Sequence, residues 1–254
     1  MSPGPRPNPD PVLLNCDLGE GEPLARTQDL LSLIDAANIA CGGHAGTDAS
    51  MRNTLAMARN QKVLVGAHPG LSQGFGRDPA TKPTARELQD LVTQQIHRLA
   101  RHALDLGIAL SHVKLHGALY HFVDADPPLA EAYLDTIQRS FSHLVVIARA
   151  DGACAAQARR RRLAVWDEAF LDRGYHADGT LVPRGQPGDL LADTRALEHR
   201  LGLLRDRGGW TAIDDTWLPI QPSTLCVHGD SPRALEFLKI ARQFFPRPIN
   251  TPPA

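Results

Sequence analysis

The chain has 254 residues, 27 Lys and Arg against 28 Asp and Glu, 43% hydrophobic and 22% charged. That is the make-up of an ordinary globular protein, and a net charge of −1 offers no general attraction to nucleic acid or anionic lipid. Four cysteines occur singly, without CxxC spacing, which argues against a zinc knuckle or a disulfide framework and suits the reducing cytoplasm.

The chain opens on "MSPGPRPNPDP", which has no apolar core of a signal peptide and reads as a loose proline-rich tail over 1–11. The stretch from about 246 to 254 reads the same way, and no apolar run is long enough to cross a membrane. Between the tails one pattern recurs: a short apolar run closes on Gly, His, Asp or Glu, and a helical stretch follows. In chain order the runs are "VLLNCDLGE" (12–20), "AANIACGGH" (36–44), "VLVGAHPG" (63–70) and "LSHVKLHG" (110–117). "LVVIARA" (144–150), "LAVWDEAF" (163–170) and "TLCVHGD" (224–230) complete the set. Amphipathic segments such as "ASMRNTLAMARNQ" and "SPRALEFLKIARQFF" lie between them. "RRRR" at 159–162 reads as a solvated helix end.

Strands alternating with helices predict parallel βαβ units, and runs that are apolar nearly throughout predict cover on both faces. Polar groups at nearly every strand end favour a barrel over an open sheet, because all the loops after the strands ring one mouth. The expectation is α/β: an irregular seven-stranded parallel (β/α) barrel forming one domain over 1–254. With seven strands rather than eight, the barrel is expected to be irregular or incompletely closed, and in the second case the segment between strands six and seven would cover the exposed edges.

Alternation along a strand places His112, Lys114 and His116 on one face, with Val113 and Leu115 on the other. The same parity aligns Cys226, His228 and Asp230, and pairs Asn15 with Asp17. Such groups fit a barrel interior only near its mouth, where water or a ligand satisfies them. The candidate site is therefore Asn15, Asp17, Glu20, His44, His68, Lys114, His116, His228 and Asp230. Glu168, Asp172, Arg173 and Arg184 join from the loop after strand six, and Arg77 from "GFGR". Lys114 is read as a charge clamp or a structural partner of Asp17 or Glu20 ahead of a nucleophile. Tyr120 is read as packing. Neither GxxxxGK[ST] nor GxGxxG occurs, so a nucleotide would be held without either loop.

"NCDLGEGE", "DAANIACGGHAGTDASM", "VGAHPGLSQGFGR", "HVKLHGALY", "DEAFLDRGYHADGTLVPRG" and "LCVHGDSPRALE", in this order, resemble the LamB/YcsF family from about residue 12 to about 245. The resemblance implies a seven-stranded barrel related to carbohydrate deacetylases. It also implies the A component of an ATP-dependent 5-oxoprolinase, which with subunits B and C converts 5-oxo-L-proline, ATP and water to L-glutamate, ADP and phosphate. ATP and Mg²⁺ are implied with it. Leu115 stands where the family usually has proline, and His121 where asparagine often follows the tyrosine. The segment after Gly70 is shortened, and "RGQPGDLL" is altered.

On that reading, Lys114 and Arg184 hold negative charge on the substrate carboxylate or on phosphate. Asp17 or Glu20 positions Mg²⁺–phosphate or activates water. His116 and His228 move protons, with Asp230 orienting His228. Asn15, His44, His68, Arg77, Glu168 and Arg173 bind substrate or phosphate. Two alternatives stand beside it: a metal-dependent deacetylase or amidohydrolase with Asp17, His44 and His68 as ligands, and a non-catalytic subunit that binds 5-oxoproline.

Overall fold

The computed structural model describes residues 11–247 except 79 and 81. The expected tails therefore lie mostly outside the described residues. Seven parallel strands run in the order β1 (Leu13–Leu18), β2 (Ala36–Ala40), β3 (Leu64–His68), β4 (His112–Lys114), β5 (Val145–Arg149), β6 (Val165–Phe170) and β9 (Thr224–His228). Each pairs with the next, and β9 pairs back onto β1 through Leu13↔Thr224 to Asp17↔His228. Closure is complete. The gap of an incompletely closed barrel is absent because β9 bonds β6 on one side and β1 on the other, leaving neither edge free.

The outward side chains of β1, Leu14, Cys16 and Leu18, are buried against the helical ring. Asn15 and Asp17 alternate with them and face inward. The ring consists of α1 (Leu24–Leu31), α2 (Asp48–Asn60), α3 (Ala85–Asp105), α4 (Gly117–Ala125), α5 (Pro127–Ser140), α6 (Ala153–Arg160), α7 (Thr194–Arg207) and α8 (Ala234–Phe244). Local chemistry sets several helix starts: Thr47 and Thr84 form capping boxes with Ser50 and Glu87, and Asp126 caps α5 through the Leu129 amide. Among the described residues no helix is long and apolar enough to cross a membrane.

The segment between β6 and β9 holds α7 and a hairpin of β7 (Gly209–Thr211) with β8 (Trp217–Pro219). Its first part folds back on itself through the bridges Arg173↔Leu190 and Tyr175↔Leu181. With no edge to cover, this first part roofs the mouth instead, Arg173 and residues 181–184 lining the cavity there. Arg200 of α7 anchors it, Nη1 donating to the carbonyls of Phe170 at 3.4 Å, Leu171 at 3.3 Å and Arg173 at 2.5 Å.

Candidate active site

Asp17 and Lys114 set the charge of the barrel floor. Asp17 Oδ1 accepts hydrogen bonds from Asn38 Nδ2 at 2.8 Å and Lys114 Nζ at 3.0 Å. Lys114 Nζ also lies 2.9 Å from Glu168 Oε1 and 3.1 Å from Cys226 Sγ. Burial opposes the charge on Lys114, but Asp17, Cys226 and Glu168 outweigh it and hold the ammonium pKa well above its ordinary value. A lysine held this way is a fixed positive charge, not an amine nucleophile. Burial likewise opposes the Asp17 carboxylate, and His68 and Lys114 pull its pKa well below the usual range.

Beneath this pair lies a layer with no access to a ligand. Asn15 is 0% exposed; its Nδ2 donates to Thr224 Oγ1 and its Oδ1 accepts from Asn38 Nδ2, both at 2.8 Å. Asn38 Oδ1 in turn accepts from His112 Nε2 at 2.9 Å. Asn15, expected in the pocket wall, is thus one layer too deep, and its amide is satisfied by neighbouring strands. Burial pushes His112 down to about 3, so it is neutral at physiological pH. The ring fills space that β3 leaves at Gly66, where a Cβ would come within 2.2 Å of it.

Beside the floor, three imidazoles crowd one carboxylate. Glu20 Oε1 lies 2.8 Å from His44 Nε2, 3.2 Å from His116 Nδ1 and 3.7 Å from His68 Nε2. His44 and His116 stack with ring centres 3.5 Å apart and planes 4° from parallel. Burial pushes His44 down to about 4 and lowers His116 too, although Glu20 opposes both shifts. His68 goes the other way, burial being outweighed by Asp17. Glu20 is held well below the usual carboxyl range by its bonds to His116 and His44, against its own burial.

A cavity of about 460 Å³ opens over the floor. Asp17, His68, Lys114, His116, Phe170 and His228 line its inner part, and Arg77, Arg173 and Arg184 approach from the loops. His228 Nδ1 lies 3.0 and 3.1 Å from the two Asp172 oxygens, and its ring stacks on Phe170 at 5.4 Å. Burial opposes ionisation of Asp172, but His228 outweighs it and the carboxyl pKa is lowered. The carboxylate therefore accepts the Nδ1–H and leaves Nε2 as the proton acceptor. Asp230, expected to orient His228, instead takes Arg77 Nη2 at 2.9 Å near the surface.

Arg173 donates to the carbonyls of Asp189 at 3.0 Å and Val182 at 2.5 Å. Its burial lowers its pKa, and the positive charge of Arg184 adds to the shift. Both residues line the cavity, so an anion there would favour both charges. Glu168 and His44 are not in the cavity wall: one is the ion partner of Lys114, the other backs His116. Asn38, Phe170 and Tyr120 escape the sequence reading as site residues. Asn38 carries a signal, as an amide at the centre of the apolar run "AANIA". Tyr120 packs edge-on against Phe170, as its packing role anticipates, and also lines the cavity.

The implied Mg²⁺ does not suit these donors. It takes oxygen ligands, and the inner carboxylates of Asp17 and Glu20 are already engaged by Lys114, Asn38 and imidazoles. The loop arginines suit a phosphate as readily as a carboxylate.

The family model for the LamB/YcsF family matches residues 12–247. The A component of a 5-oxoprolinase from Pyrococcus abyssi is 39% identical over 237 residues, covering 91% of this chain and 92% of that one. Its counterpart from Bordetella pertussis is 40% identical over 232 residues, covering 89% and 91%. Among solved structures, a lactam utilization protein from Thermus thermophilus superposes with a TM-score of 0.84 at 30% identity, covering 92% of this chain and 96% of that one.

Proposed function

This chain belongs to the LamB/YcsF family, and from that premise we propose that it is the A component of a 5-oxoprolinase, opening 5-oxo-L-proline to L-glutamate. The opening is coupled to hydrolysis of ATP to ADP and phosphate, in a cytoplasmic complex with subunits B and C. One observation carries the reading. A small cavity joins a buried Asp17–Lys114 pair and the imidazoles of His116 and His228 to two arginines, Arg173 and Arg184, in its wall. That set suits a small anionic amide.

A lactam carbonyl is deactivated by resonance with its nitrogen. Phosphorylation of the carbonyl oxygen at the expense of ATP makes the carbon electrophilic. Water then adds to that carbon, and His228, held by Asp172, takes the proton released. His228 returns that proton to the ring nitrogen as the carbon–nitrogen bond breaks. The resulting acyl phosphate is hydrolysed to glutamate and phosphate. Arg173 and Arg184 hold the substrate carboxylate or the phosphoryl group, and Lys114 fixes Asp17 at the floor. Each proton transfer contributes about 10²–10⁴-fold. Mg²⁺ enters with the nucleotide.

The test is glutamate formation from 5-oxoproline and ATP with the partner subunits present. Asp17→Asn keeps the shape of the side chain but removes the charge that faces Lys114 and His68. A folded D17N protein should lose about 10²-fold or more in kcat, in the range of a lost electrostatic contact at a reacting centre. Wild-type turnover by that variant would remove Asp17 from the reaction.

A further inference from the structure

The ligand-capable atoms of Glu20, His44, His68 and His116 all lie within 4.8 Å of one another. Four of the six separations are 2.8, 3.2 and 3.7 Å from Glu20 Oε1 to His44 Nε2, His116 Nδ1 and His68 Nε2, and 3.0 Å between His68 Nε2 and His116 Nδ1. A tetrahedral ion with bonds of about 2.0–2.1 Å to nitrogen and oxygen has ligand-to-ligand edges of about 3.3 Å. The four distances straddle that value.

The hydrogen bonding behind the cluster points the same way. His68 Nδ1 lies 2.8 Å from the Lys114 carbonyl, which can only accept, so Nδ1 carries the proton. Nε2 then points at Asp17 Oδ2 at 3.4 Å and Glu20 Oε1 at 3.7 Å, so the position between them takes either the second ring proton or a metal ion in its place. A ring fixed through its far nitrogen is how metal-binding histidines are held. Glycine makes the room. A Cβ on Gly70 would come within 2.2 Å of His44 Nδ1, and one on Gly76 within 3.0 Å of His116 Cδ2.

We infer that Glu20, His44, His68 and His116 form a binding site for one divalent transition-metal ion of the zinc class. Three imidazoles and one carboxylate select such an ion over Mg²⁺ or Ca²⁺. The set differs from the Asp17, His44 and His68 ligands of the alternative deacetylase reading, because Asp17 Oδ1 is already bound by Lys114 and Asn38. His68 and His116 also line the cavity, so a bound ion would offer its Lewis acidity there. The inference does not depend on which amide is opened.

The full chain, stripped with a chelator and re-dialysed, is titrated with Zn²⁺ and separately with Co²⁺. One equivalent of Zn²⁺ per chain, a higher melting temperature, and the visible absorption of four-coordinate Co²⁺ are expected. His44→Gln and Glu20→Gln, checked for folding by circular dichroism, should each bind Zn²⁺ at least about tenfold more weakly. The Co²⁺ spectrum of the unaltered protein decides the matter if both variants unfold. Failure of the wild-type chain to retain Zn²⁺ and to develop the Co²⁺ bands would overturn the inference, as would folded variants that bind Zn²⁺ like wild type. Zn²⁺ bound at this site by a protein that forms no glutamate with its partners would defeat the proposed reaction and leave the metal site standing.

Discussion

Asp172 decides what His228 can do. Its two oxygens lie 3.0 and 3.1 Å from Nδ1, and its carboxyl is held ionised by that imidazole against its burial. Asp172→Asn substitutes an amide that can donate as well as accept, so His228 is no longer held as the tautomer with Nε2 free. The expected outcome is a fall of about 10²-fold or more in kcat for glutamate formation, with KM little changed. Asp172→Glu should recover part of it. Asp230→Asn acts on a different contact, releasing Arg77 at the cavity edge. It should raise KM and spare kcat. Steady-state kinetics separate the two, and a kcat loss confined to D230N would reverse the assignment of the His228 partner.

Strand register explains which residues meet, and it also marks how far the sequence could be read. Alternation alone puts Asn15, Asp17, His112 and Lys114 inside, because period two along a strand depends on nothing but local geometry. Partner choice depends on how two strands far apart in sequence align. β6 pairs with β9 at Phe170↔Cys226, an offset of 56, so Asp172 falls beside His228 just past the paired residues. No local pattern holds that offset, and Asp230 shares a parity with His228 without reaching it. The Glu20 cluster is illegible as a group for the same reason, since its four members come from four strand ends with no short spacing. The roof over the mouth reads as an edge cover in the sequence because closure of the barrel is itself a register property. Its anchoring predicts a consequence. Arg200 Nη1 serves three carbonyls, and its guanidinium lies 4.8 Å from the Trp210 ring centre. Arg200→Met removes hydrogen bonds worth about 1.5–3 kcal/mol for a charged donor. If that loss falls on the roof, KM for 5-oxoproline should rise about tenfold or more, since 1.4 kcal/mol corresponds to a factor of about ten. Limited proteolysis should cut first within 174–190, and an unchanged cleavage pattern would show that the roof is held elsewhere.

Burying so much titratable chemistry in one barrel makes the stability of the whole molecule depend on pH in a defined direction. In the folded chain burial pushes His112 down to about 3 and His44 to about 4. The unfolded chain takes up a proton on each near pH 6.5. Between those values the unfolded state binds more protons, so stability present at neutral pH is lost as pH falls, by about 1.4 kcal/mol per pH unit for each histidine. The lowered carboxyls of Asp17, Glu20 and Asp172 add to the loss at lower pH, because their stabilisation holds above about pH 4 and disappears as they protonate. His68 opposes the trend: its raised pKa gives stability that is full in acid and is lost as pH rises through the folded value. His112 isolates one proton from this sum, since it belongs to the layer beneath the cavity and bonds Asn38 rather than the Glu20 cluster. Urea unfolding is followed between pH 4.5 and 6.0 with a chelator present, so that metal release does not contribute. His112→Gln should lower stability at neutral pH and flatten the slope by about 1.4 kcal/mol per unit, so that its deficit against wild type shrinks as pH falls. A variant with the wild-type slope would mean that His112 is already protonated in the folded barrel, and the neutral layer under the active site would have to be abandoned.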